Sequence, residues 1–167
     1  MVKSNRDIVK GIALDLGFSY CGISKADFLE EEVDHLETWL KRGYQGKMSY
    51  MERHFDKRLD PRKLIPGAQS VISLLYNYAP QKDETEQTPY KIARYAYGKD
   101  YHFVIKNKLA EFMNRMKAGI GHIEGRAFVD SAPVHERAWA SKSGLGWVGK
   151  NTLLINKDSG SYFFLAE

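Results

Sequence analysis

The densest run of reactive side chains is Asp130-Ser131-Ala132-Pro133-Val134-His135-Glu136-Arg137. Residues 125–129 read as a strand that ends on the Asp130 carboxylate, and Pro133 suits the first turn of a helix over 134–143. A carboxylate at a strand end is held rigidly at the rim of a cleft, as general-acid chemistry requires. The same group could equally cap the helix. No second His or carboxylate stands at ligating distance in sequence from His135, which favours a place on the helix surface over a metal site. Gly98-Lys99-Asp100-Tyr101-His102 falls between a strand expected over 91–97 and a helix start. Free N–H groups and the helix dipole there suit an anion, although a cap followed by a loop has the same signature.

Two glycine patterns mislead. Gly144-Leu145-Gly146-Trp147-Val148-Gly149 matches G-x-G-x-x-G. A dinucleotide fold needs a strand before that pattern and a helix after it, and here the order is reversed. Gly144 to Lys150 also begins a P-loop, but Asn151 lacks the hydroxyl that would meet magnesium, and Thr152-Leu153-Leu154-Ile155 is β-prone. What survives is a bend where backbone can approach a flat ligand or another chain segment closely.

The elements that must position these groups follow from periodicity. Ser4 and Asp7 form a capping box ahead of Ile8, Ile12, Ala13 and Leu16, and Gly17 stops that helix. Residues 18–24 read as a strand, 27–40 as a helix and 69–78 as a buried central strand; the polar stretch 80–89 reads as an exposed loop. Asp100 caps a long helix whose apolar face is Ile105, Leu109, Phe112, Met113 and Met116, ended by Gly119 and Gly121. Residues 152–155 and 161–166 read as two strands of a hairpin turning at Lys157-Asp158-Ser159-Gly160. The mixture predicts one α+β or α/β domain.

Of 167 residues, 43% are hydrophobic and 28% charged, which excludes a disordered or collagenous chain. No apolar run is long enough for a bilayer, and the N-terminus has no secretory h-region. A single cysteine, Cys21, excludes an internal disulfide and a cluster site built by this chain alone. The reducing cytoplasm is the expected address. The sequence stops on the apolar run Tyr162-Phe163-Phe164-Leu165-Ala166-Glu167, so it is expected to be the front piece of something longer. Net charge is +4, and the basic residues concentrate at Lys41, Arg42, Lys47, Arg53, Lys57, Arg58, Arg62 and Lys63, interleaved with Tyr44, Tyr50 and Phe55. Such a segment suits a polyanion, and a solvated surface fits it as well.

Four stretches together carry a resemblance. They are Lys57-Arg58-Leu59-Asp60-Pro61 with Leu64-Ile65-Pro66-Gly67-Ala68; Tyr97-Gly98-Lys99-Asp100-Tyr101-His102; Val129-Asp130-Ser131-Ala132-Pro133-Val134-His135-Glu136-Arg137; and Gly144-Leu145-Gly146-Trp147-Val148-Gly149-Lys150-Asn151 running on to Gly160-Ser161-Tyr162-Phe163-Phe164-Leu165-Ala166-Glu167. In order and spacing they resemble the N-terminal cobalamin-binding domain of the epoxyqueuosine reductase family. The resemblance implies an α+β, nitroreductase-like domain over residues 1–167, with a central mixed β-sheet flanked by helices. A ferredoxin-like module with two 4Fe-4S clusters would follow downstream, so this chain alone would be inactive.

The implied reaction reduces epoxyqueuosine to queuosine in tRNA, the last step of queuosine biosynthesis. Epoxide opening is assisted by a carboxylic acid that keeps its proton near neutral pH, which desolvation favours. Asp130 matches the family's proposed proton donor. By family position Arg58, Ala93, Asp130, His135, Leu154 and Leu165 line the cobalamin, and no residue is expected to ligate a metal. The partner would be a queuosine-type anticodon loop, the assembly a monomer, with no membrane. The rival classes are a cobalamin carrier or flavin-binding nitroreductase-like module without tRNA chemistry, and a tRNA-binding accessory domain.

Overall fold

The computed structural model describes residues 4–79 and 92–167. Helix α1 (Asn5–Asp15) starts where expected: the Ser4 side chain accepts from the Asp7 N–H and the Asp7 carboxylate accepts from the Ser4 N–H. Strand β1 (Tyr20–Lys25) and helix α2 (Glu30–Lys41) follow. Two short helices, α3 (Phe55–Leu59) and α4 (Pro61–Leu64), are joined at Asp60, whose side chain accepts from the Arg62 N–H. Pro61 supplies the preset first turn of α4. Strand β2 (Ser70–Asn77) crosses the middle of the molecule, and the 20-residue helix α5 (Tyr101–Ile120) is capped by the Asp100 side chain. Helix α6 (Glu136–Lys142) leads into β3 (Trp147–Val148), β4 (Leu154–Ile155) and β5 (Phe163–Ala166).

The main sheet has the order β1-β2-β5, and β3 pairs with β4 separately. Every strand pair is antiparallel among the described residues, where a mixed sheet was expected. The β2 strand is central, as its near-continuous apolar sequence predicts. Alternation along it sorts the core. Ile72, Leu74 and Tyr76 pack with Ile12, Ile105, Leu109, Phe112 and Met116 of α1 and α5. Leu75 packs on the other side with Ala140 of α6, Leu145, Leu154 and Phe163. A third cluster joins Leu36 of α2, Leu59 of α3, Val71 and Trp139.

Helix α6 lies unusually close to the sheet because two small residues face it. Gly22 and Ser73 are partners across β1 and β2, and Ser73 is fully buried. A Cβ on Gly22 would collide with the Ser143 Oγ and lie 2.6 Å from its Cβ and 2.9 Å from the Leu145 Cγ. The glycine is therefore a packing requirement.

Several expected elements differ. Residues 92–97 form no strand but a single 3₁₀ turn, Arg94–Ala96. Both edges of β2 are already taken by β1 and β5, so this alternating segment has no partner there, and Ile92, Tyr95 and Tyr97 are exposed. Lys91 and the expected loop at 80–89 lie outside the described residues. Residues 125–129 are extended but join the sheet only through Phe128, whose N–H and carbonyl exchange bonds of 2.6 and 3.1 Å with Glu167. The turn at 157–160 closes through an Asn156–Gly160 bridge, yet the return strand β5 pairs with β2 instead of β4. Residue 119, expected to end α5, lies inside it.

Replacing Gly22 by Ala is expected to destabilise the protein by about 1–3 kcal/mol, since the added methyl must push α6 off the sheet. Denaturant unfolding checks this, and Gly11→Ala, at a glycine with open space around it and no left-handed φ, provides the comparison for a methyl group that meets nothing.

Candidate functional site

Three elements converge on Asp130. From the sheet, the Phe128–Glu167 exchange fixes the chain two residues upstream. From the start of α5, the Tyr101 hydroxyl donates to Asp130 Oδ2 in a short hydrogen bond, and His102 Nε2 stands 3.6 Å from the same oxygen. From the first turn of α6, Glu136 Oε1 accepts the Asp130 backbone N–H at 3.1 Å. Asp130 itself has φ 51°, a left-handed conformation that Asp tolerates better than most residues. Its side chain remains 44% exposed, so it is held from behind and open in front.

Two expectations about this stretch are corrected. Asp130 does not cap α6: the helix begins at Glu136, six residues further on, with His135 at the N-cap and no side-chain cap bond. Pro133 therefore lies before the helix. The left-handed turn at Asp130 and the Val134 N–H bonding back to the Ala132 carbonyl delay helical geometry until Glu136. His135 is not on the surface either. Its Nε2 is buried with no hydrogen-bond partner, and burial, then the charges of Arg58 and Arg137, push the imidazole down to about 4.

A cleft of about 670 Å³ opens in front of Asp130, between residues 130–137 and the segment carrying Tyr50, Met51, Arg53, His54 and Arg58. Arg58 Nη2 reaches the Tyr50 carbonyl at 3.3 Å, while its buried Nε has no partner. Burial lowers the affinity of this guanidinium for its proton. The cleft thus carries two buried polar nitrogens, on Arg58 and His135, with no hydrogen-bond partner among the described residues. Groups of this kind mark a place where a polar ligand completes the bonding.

Behind Asp130 lie two buried carboxyls, those of Glu136 and Glu167. Burial, then the Asp130 charge, raises the affinity of Glu136 for a proton. Burial, then Glu136 and Asp130, does the same to Glu167, against a smaller opposing effect of the Ser73 hydroxyl. Burial, then the bond to Asp130, also pushes the Tyr101 hydroxyl up. Buried carboxyls this close to one another cannot all ionise, so Glu136 and Glu167 are both held towards their protonated forms.

The structure brings Arg58, Asp130 and His135 to one cleft. Leu154 and Leu165 instead belong to the cluster around Leu75, with Leu154 buried, and Ala93 is exposed beside the 3₁₀ turn. The suggested anion site at the start of α5 is filled by the Asp100 side chain, which accepts from the His102 N–H at 2.9 Å. The glycine bend serves chain packing: a Cβ on Gly146 would collide with the Ile155 carbonyl oxygen. The roles of Tyr101, His102 and Glu136 were not read from the sequence. The position of Tyr101 and His102 just after a helix cap was the available signal for two of them, and no local signal marks Glu136.

Comparison with known proteins agrees with this geometry. A family model described as "Epoxyqueuosine reductase QueG, DUF1730" matches residues 58–131, the span from Arg58 through Asp130. The epoxyqueuosine reductase of Cyclobacterium marinum is 62% identical over 167 residues, covering 99% of this chain and 54% of its own. A crystal structure of an epoxyqueuosine reductase with an epoxyqueuosine-modified tRNA-Tyr stem loop superposes with a TM-score of 0.84 at 26% identity, covering 96% of this chain and 44% of that one. An epoxyqueuosine reductase from Bacillus subtilis, solved with the loop of its catalytic aspartate swung out of the active site, gives 0.80 at 26% identity, covering 96% and 43%. The chain spans about half the length of the curated relatives it matches. Over that half, the chain shares its sequence and its fold with the epoxyqueuosine reductase family.

Proposed function

We propose that this chain is the catalytic-cleft half of an epoxyqueuosine reductase, an oxidoreductase that converts epoxyqueuosine to queuosine in tRNA. The observation that carries the reading is the open cleft in which an acid, Asp130, faces two buried and unsatisfied nitrogens, on Arg58 and His135. The named relatives and the neighbour bound to a tRNA-Tyr stem loop support it. Residues 1–167 are read as one nitroreductase-like domain of a monomeric, cytoplasmic enzyme, with a ferredoxin-like module downstream.

The donors in the cleft fit cobalamin. A corrin is fringed with amides, and the orphaned Arg58 Nε donor and His135 Nε2 are suited to amide groups at its edge. When bound, cobalamin supplies the reducing equivalents that open the epoxide. The remaining family positions, Ala93, Leu154 and Leu165, would contribute backbone or apolar contact. An iron–sulfur cluster does not fit this half: the single thiol, Cys21, lies in the core, where burial pushes it up to about 11.

The chain's own groups then divide the work. Asp130 gives a proton to the opening epoxide or to the adjacent carbon. The Tyr101 hydroxyl and His102 aim its carboxyl, and the Glu136 side chain holds its peptide from behind. Neutral His135 adds no positive charge to the acid's front.

In the full-length enzyme Asp130→Asn is expected to lower kcat by at least about 100-fold while cofactor and tRNA still bind. Single-turnover reduction, visible spectra and tRNA titration check the three parts, and near-normal turnover would overturn the assignment of Asp130. For His135 the sign follows from its depressed value: between about 6.5 and about 4 the unfolded chain takes up a proton that the folded chain refuses. Its stabilising contribution is present above that window and is lost as pH falls through it. Comparing the pH dependence of unfolding for wild type and His135→Gln should therefore show wild type losing up to about 3 kcal/mol more across the window.

The basic segment 41–63 supplies the tRNA contact in this reading. Arg53 and Arg58 line the cleft, and Lys47 is exposed alongside. Replacing Lys47, Arg53 and Lys57 together by Ala in the full-length enzyme should weaken tRNA binding and flatten the log–log salt slope by about 2, without changing which base is reduced. Unchanged affinity and slope would return the segment to a plain solvated surface.

A further inference from the structure

We propose that Glu136 is the positioning residue for the proton donor: its carboxylate holds the Asp130 backbone in the left-handed conformation that aims the acid into the cleft. The proposal rests on the assignment of Asp130 made above. The bond runs from the Asp130 N–H to Glu136 Oε1 at 3.1 Å, and it closes a loop over Ser131, Ala132, Pro133, Val134 and His135. Inside that loop Pro133 has no N–H to donate, and the Val134 N–H is spent on the Ala132 carbonyl. A left-handed non-glycine residue persists only where its surroundings over-determine it. At Asp130 the bond from Tyr101 and the nearby His102 ring reach only the side chain, and Glu136 is what fixes the peptide.

Glu136 is also an expensive residue at this place. It is largely buried and sits near two other carboxyls, Asp130 and Glu167, with no compensating ion pair among the described residues. The neighbouring cation, Arg137, turns away and donates to the Thr152 carbonyl. An apolar residue of similar volume would avoid the desolvation and the repulsion. The acceptor for the Asp130 N–H is what the carboxylate provides in return. Both ends of the connection rest on rigid supports: α6 is seated over Gly22, and Phe128 is bonded to Glu167, the residue after β5.

The test uses three substitutions in the full-length enzyme. Glu136→Gln keeps an oxygen that accepts the N–H, whereas Glu136→Met fills the space without an acceptor and Glu136→Ala leaves the space open. Glu136→Gln is expected to stay within about threefold of wild type in kcat. Glu136→Met and Glu136→Ala should lose on the order of 100-fold in kcat, with KM for the modified tRNA within about threefold, as a displaced but intact acid predicts. Hydrogen exchange at the Asp130 amide should be faster in the Met variant and unchanged in the Gln variant. Should the Ala variant fail to fold, the Gln–Met pair decides. Full kcat in the Met variant, or equal damage in Gln and Met, overturns the proposal. An active Asp130→Asn enzyme would instead sink the assignment on which it rests, so the two failures are told apart.

Discussion

The close seating of α6 on the sheet is the contact from which the rest of the site follows. Ala140 is fully buried against β2, and Ser143 and Leu145 reach over Gly22, which has no side chain to hold them off. Ser73, the partner of Gly22, is small too and faces the same side. A side chain at Gly22 would push the helix off the sheet, because packed interiors have no slack to absorb a methyl group. Lifting α6 would carry its first turn with it, and that turn bears His135 and Glu136.

From that seat the site is assembled by elements far apart in sequence. Glu136 reaches back to the Asp130 peptide, the start of α5 supplies Tyr101 and His102, and α3 brings Arg58 across the cleft. A continuous ring stack supports the α5 side: Tyr101 lies parallel to Phe164 of β5 with centroids 3.9 Å apart, and stacks on His102 at 4.1 Å. Asp130 is therefore braced by aromatic packing on one side and by buried polar groups on the other. Its side chain still meets the open cleft.

The electrostatic layout divides the site into a front and a back. Behind Asp130 lie carboxyls whose burial makes them reluctant to ionise; in front lie the guanidinium of Arg58 and a neutral imidazole, both with a buried nitrogen left unsatisfied. The back favours keeping a proton in the group. The front favours an uncharged, polar-edged ligand over a metal ion, and among the described residues no cluster of His, Cys, Asp and Glu is arranged to hold one.

Local signals in the sequence were sufficient for what local forces decide. The capping box at Ser4 and Asp7, the cap at Asp100, the apolar face of α5 and the apolar central strand β2 were all legible, because each depends on neighbours within a turn or on side-chain alternation. The rejection of both nucleotide-binding glycine patterns was legible too, from the order of helix and strand around them. Asp130 stood out as an acid, but its left-handed backbone, its partners and the burial of His135 did not. Those depend on Glu167, Tyr101, Glu136 and Arg58, which no spacing rule connects. The same reason bears on the strands expected at 92–97 and 125–129: alternation does not specify a pairing partner, and of those residues only Phe128 exchanges backbone bonds beside the sheet, with Glu167. Sequence alone determined which groups could do chemistry, and the tertiary structure decided which of them meet, since contacts between distant segments are set by how the helices seat on the sheet.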